Sequence, residues 1–126
     1  MNRRELMKLL GVGAVASSVP ESATLVHAEE KAKPREILML VYPKFTALDL
    51  VGPQHVFALL GASYKVRLVW KNTNEFTSDT GIPVRPTTSF ADATEEPAVL
   101  FVPGGTDGTL AVLEDKEVRE FLASRG

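Results

Sequence analysis

The chain has 126 residues, 44% hydrophobic and 24% charged, and its 14 Lys and Arg against 16 Asp and Glu leave a net charge of −2. That length allows one hydrophobic core, and the balanced charge argues against a nucleic-acid partner, which asks for a basic face. There is no cysteine, which excludes a disulfide framework, a thiolate metal site and a cysteine nucleophile within these residues.

Residues 1–8, MNRRELMK, place Arg3, Arg4 and Lys8 ahead of the uncharged run LLGVGAVASSV. A stable bilayer crossing takes about 20 apolar residues, so this run is too short for one and has the build of an export signal. The arginine pair before a weakly hydrophobic, Gly- and Ala-containing segment predicts a twin-arginine-type signal. Val26-His27-Ala28 is a small-x-small site for cleavage after Ala28. The expectation is an exported, periplasmic protein with residues 1–28 as its signal; the bland alternative is an N-terminal arm. Residues 29–35, charged and broken by Pro34, read as a solvated leader.

Ile37 to Tyr42 is a continuous apolar run, predicting a strand buried on both faces and ended by Pro43. From Asp49 to Leu60 the positions Leu50, Pro53, Val56, Phe57 and Leu60 recur at three and four, painting one face of a helix. Asp49 is placed to cap it, Pro53 to sit near its first turn and Gly61 to close it. Tyr64 to Lys71, YKVRLVWK, alternates and predicts a strand. Residues 72–96 mix Asn, Gly and Pro with short Thr- and Val-containing pieces and predict a small hairpin. Ala98 to Val102 predicts another buried strand, followed by the loop PGGTDGT from Pro103 to Thr109. A last helix starts at Asp115, with Val118, Phe121 and Leu122 facing inward. The order β-α-β-hairpin-β-α implies a parallel sheet with helices on both faces and ligand groups at the carboxyl ends of its strands.

Two loops leave strands with special chemistry. Tyr42 to Pro53 offers a single carboxylate, Asp49, which is either a helix cap or a site acid. The glycines of PGGTDGT let backbone N–H groups face an anion or oxyanion without Cβ obstruction, though a plain tight turn is the simpler reading. The loop matches neither G-x-x-x-x-G-K-[ST] nor G-x-G-x-x-G, so phosphate and dinucleotide cofactors are not indicated. His55 has no second ligand at helical spacing, so no metal site is expected.

In this order, LDLVGPQHVF, VRLVWK, TTSFAD and FVPGGTDGTLAVLEDKEVREFL resemble the N-terminal half of the DJ-1/PfpI superfamily, closest to its isonitrile hydratase-like branch. The resemblance implies a flavodoxin-like fold of the class I glutamine amidotransferase type, with no cofactor, a small-molecule substrate, a homodimer and no membrane span. It implies that a thiolate on a strand-to-helix elbow attacks the isonitrile carbon, that an acid handles the proton, and that water releases an N-substituted formamide. The family's acid in L-D-L-x-G-P falls on Asp49, followed by Gly52 and Pro53, which the resemblance places in the substrate pocket. Its pocket-lining turn falls on Pro103, Gly104 and Gly105, with Thr106 beside it. Many relatives carry an acidic residue where this sequence has His55, a position expected to modulate proton handling or the dimer surface. The family's cysteine elbow follows the helix that ends here at Arg125-Gly126. The resemblance therefore implies a fold truncated before its nucleophile, inactive by itself. The alternative is a non-enzymatic small-molecule-binding or sensing domain.

Overall fold

The computed structural model describes residues 32–126. The expected export signal, its cleavage site and the start of the charged leader lie outside the described residues.

The elements are β1 (Arg35–Leu40), α1 (Ala47–Ala58), a 3-10 turn (Gly61–Ser63), β2 (Tyr64–Trp70), β3 (Phe76–Thr77), β4 (Pro83–Val84), β5 (Thr88–Ser89), β6 (Val99–Phe101), α2 (Thr106–Glu114) and α3 (Lys116–Arg125). A four-stranded sheet runs in the order β5-β2-β1-β6, with each neighbouring pair parallel. β1 is hydrogen-bonded on both edges, and Ile37 through Tyr42 have no exposed surface. That double burial is why the run is apolar at every position instead of alternating.

β2 lies on one side of β1 and β6 on the other, so strand order reverses at β1. In an open parallel sheet the crevice at the carboxyl ends beside such a reversal is where ligands bind. The expected hairpin is present: β3 pairs antiparallel with β4. β5 adds a two-residue edge beside β2, too short for period-2 patterning to reveal.

The helices correct the sequence reading in three places. First, α1 begins two residues earlier than expected and takes Thr46, not Asp49, as its N-cap; Asp49 lies in the first turn. Pro53 is therefore inside the helix. Lacking an N–H, it cannot close the bond to the carbonyl of Asp49 four residues back. Second, the inward face of α1 is narrower than its spacing suggested. Leu50 is buried and Pro53 and Phe57 are half-buried, whereas Val56 and Leu60 are exposed, together with Leu48, Val51 and Leu59. Third, a helix occupies most of what was read as the PGGTDGT loop. α2 starts at Thr106 behind Gly105 as N-cap, with Asp107 in its first turn, where negative charge suits the helix dipole. Gly108 and two threonines, all poor helix formers, disguised it.

The last helix matches its reading. Asp115 caps α3 by accepting from the Val118 N–H at 3.3 Å, and Val118 and Phe121 are buried. Phe121 stacks on Phe90 at 4.0 Å between ring centroids, and Phe90 meets Trp70 edge-on. Lys71, just past β2, reaches Asp115 at 2.6 Å and Glu117 at 3.0 Å, tying the strand to the start of the helix. Among the described residues, no helix is long and apolar enough to cross a membrane.

Candidate functional site

The carboxyl ends of β1 and β6 feed two loops that grip each other. After β1, Lys44 takes a left-handed backbone with φ of 64°, uncommon for a residue with a Cβ. The hairpin braces this turn: the Lys44 N–H donates to Thr77 O at 3.0 Å, the Asp79 N–H to Phe45 O at 2.9 Å, and the Ala47 N–H to Asp79 Oδ1 at 3.2 Å. The start of α1, and with it Asp49, is thereby fixed to the rest of the fold. The Asp49 N–H itself donates to Thr46 O at 3.1 Å.

After β6, the turn Pro103-Gly104-Gly105 lies across that loop. A Cβ on Gly104 would run into Oδ2 of Asp49, so the carboxylate rests directly against a position that only glycine leaves open. Gly105 has φ of 157°, and a Cβ there would sit 3.0 Å from both Lys44 O and Phe45 Cα. The glycine turn is therefore shaped to approach the Asp49 carboxylate and the Lys44–Thr46 backbone.

All three carbonyls of the turn are engaged, that of Gly105 by the Thr109 N–H at 3.2 Å. Gly104 O accepts from the Thr46 N–H at 2.8 Å, and Pro103 O accepts from the Tyr42 hydroxyl at 2.7 Å. The N–H groups of Gly104 and Gly105 find no acceptor among the described residues. Two adjacent amides and a carboxylate thus share one end of the sheet. Such an arrangement can stabilise developing negative charge on one atom and move a proton at another.

Tyr42 was not among the residues the sequence suggested. Its hydroxyl also lies 3.0 Å from Thr109 Oγ1 in the first turns of α2. Burial pushes the Tyr42 phenol above its ordinary value, the contact with Thr109 pulls it down, and the negative charge of Asp49 pushes it further up. A tyrosine at the end of a buried strand reads as core, and its polar partner lies 61 residues away, so no local pattern could reveal it.

Not every expected residue joins this cluster. Gly52 is exposed and a Cβ there would meet nothing within 4 Å, so it makes no close approach to the Asp49–Gly104 contact, and Pro53 beside it is half-buried. His55 is exposed and six residues beyond Asp49, which at 3.6 residues per turn places it on another face of α1. Thr106 is exposed as the first residue of α2, beside a cavity of about 340 Å³ lined by Lys44, Asp79, Thr106 and Asp107. A larger cavity, about 450 Å³, includes Arg35, Glu36, Arg67 and Asp92 in its lining and lies at the amino end of β1. Among the described residues no three His, Asp or Glu side chains converge as a metal site would require.

The DJ-1/PfpI family matches residues 35–125 of this sequence. The chain belongs to the DJ-1/PfpI family. An isonitrile hydratase of Pseudomonas putida is 39% identical over 90 residues, which cover 71% of this chain and 38% of that enzyme. The crystal structure of a ThiJ/PfpI family protein from Pseudomonas syringae superposes with a TM-score of 0.70 at 38% identity, covering 85% of this chain and 46% of the other. A cysteine-to-alanine mutant of a DJ-1 superfamily protein from Salmonella typhimurium shares the fold at a TM-score of 0.56 and 15% identity. The fold is thus the expected flavodoxin-like parallel sheet with helices, and the chain spans less than half the length of these relatives.

Proposed function

We propose that residues 35–125 form the acid-and-turn portion of an isonitrile hydratase-like site. The observation that carries this reading is the Asp49 carboxylate resting against Gly104 beside two unengaged amide N–H groups, where the strand order reverses. Hydration of an isonitrile to a formamide adds one water, with one hydrogen ending on carbon and one on nitrogen. A positioned carboxylate suits that proton traffic, and the Gly104 and Gly105 amides suit the carbonyl oxygen that forms. The 39% identity to the Pseudomonas putida hydratase supports this substrate class.

These 126 residues contain no cysteine, so a covalent route needs a thiolate from outside them. We accordingly expect no turnover from this chain alone. A titration with N-methylformamide, a minimal product, tests the binding half of the reading. The amide signals of Gly104, Gly105 and Thr106 should move, and Asp49→Asn should weaken the affinity. Binding elsewhere on the chain would refute it.

A second reading is a small-molecule-binding or sensing domain without chemistry. In that case the ligand would bind equally well after Asp49→Asn. Export is part of the proposal as well: replacing Arg3 and Arg4 together by lysine should hold the protein in the cytoplasm in a cell-fractionation experiment. So is a homodimer, which sedimentation would read directly.

A further inference from the structure

We propose that Tyr42 is a positioning residue of this site, its hydroxyl setting the direction in which the amide of Gly104 points. The inference rests on the reading of the Pro103-Gly104-Gly105 turn given above.

The direction of the hydrogen bonds is forced. A tyrosine hydroxyl has one proton, and a carbonyl can only accept. The 2.7 Å contact to Pro103 O therefore uses the Tyr42 proton. The 3.0 Å contact to Thr109 Oγ1 must then be donated by Thr109, giving a one-way chain from Thr109 through Tyr42 to Pro103. Bonds in such a chain polarise one another, which strengthens the last of them.

Peptide geometry carries this to the site. The described residues contain no cis peptide, and in a planar trans peptide the C=O and N–H point opposite ways. Holding Pro103 O toward Tyr42 turns the Gly104 N–H away from it. In the next peptide, the Thr46 N–H holds Gly104 O and so orients the Gly105 N–H. Two independent clamps, one a side chain and one a backbone, thus aim the two amides. A clamp is needed because glycine backbones rotate more freely than any others.

Tyr42 is itself held still. Its ring is wholly buried, edge-on to Phe45 at 6.3 Å and tilted against Trp70 at 6.5 Å. A residue present only to fill this space would serve as well as phenylalanine.

Tyr42→Phe keeps the ring and removes both hydroxyl contacts. In the full 126-residue chain, the Gly104 amide signal should shift or split more than that of Gly105, while core amides such as Val69 and Val118 stay in place. N-methylformamide affinity should fall about tenfold, the loss expected for one hydrogen bond of roughly 1.4 kcal/mol. Unchanged Gly104 and Gly105 signals in the variant would overturn the proposal. If the variant does not fold, the wild-type chain decides: a protected Tyr42 hydroxyl proton coupled to the Pro103 carbonyl carbon upholds the clamp, and its absence overturns it. Should the wild type bind no formamide while Tyr42→Phe still displaces the Gly104 amide selectively, the hydratase-like reading fails and the positioning role stands.

Discussion

The two ends of the sheet differ in how their groups are held. At the amino end the larger cavity is lined by charges of both signs, and the Arg67–Glu36 pair at 3.1 Å stands among them with its side chains partly in water. At the carboxyl end the cavity is smaller, but the Pro103 and Gly104 carbonyls are clamped from different directions, with the Asp49 carboxylate beside Gly104. Volume marks the first end and pre-organisation the second. Chemistry needs groups held in one geometry before the ligand arrives, so the carboxyl end is the better candidate despite its size.

Substitutions at the two ends should have unequal effects. The largest effect is expected from Gly105→Ala, which strains φ and presses a Cβ onto the Lys44–Thr46 backbone. A loss of about 1–3 kcal/mol follows, read as a melting temperature several degrees lower. Gly104→Ala should separate stability from site geometry. The new methyl meets only the end of the Asp49 side chain, which can swing away, so melting should change little while formamide binding at the turn is lost. At the amino end, Glu36→Gln should cost no more than about 1 kcal/mol, the ordinary worth of a partly exposed pair, and leave the Gly104 and Gly105 amides undisturbed.

Two pH effects sharpen the contrast. The Tyr42 phenol is raised in the folded chain, by burial first, so its contribution to stability is complete below the unfolded value of about 10 and is lost as pH climbs through the folded value. Absorbance titration should show this phenol ionising late, and Asp49→Asn should bring it earlier. The smallest effect belongs to Asp115, whose carboxyl is lowered chiefly by Lys71. Its contribution is present above the unfolded value near 3.9 and fades as pH falls through the folded one, a change to be followed in the α3 amide signals.

Much of this architecture was legible in the sequence. Ile37–Tyr42 declared itself by continuous hydrophobicity, and Asp115 with Val118 and Phe121 declared α3 by cap and spacing. α2 was missed because Gly108 and the flanking threonines carry turn chemistry, although Gly105 and Asp107 were valid start signals. The outward face of α1 was misjudged because Leu48, Val51, Val56 and Leu59 surround the helix with apolar side chains, which blurs the stripe. At the site, Asp49 and the two glycines came from a motif, but their contact with one another spans 55 residues of chain and could only come from the fold. Tyr42 was hidden for the same reason.

Whether Asp49 and the glycine turn form a working half-site is decided by turnover of a chimera in which residues 35–125 replace the matching segment of the Pseudomonas putida isonitrile hydratase. The chimera should convert an alkyl isonitrile to its formamide, and Asp49→Asn should lower the rate by about 10²–10⁴, the usual contribution of a positioned acid or base. A folded chimera without turnover, or one indifferent to Asp49→Asn, would contradict a working half-site.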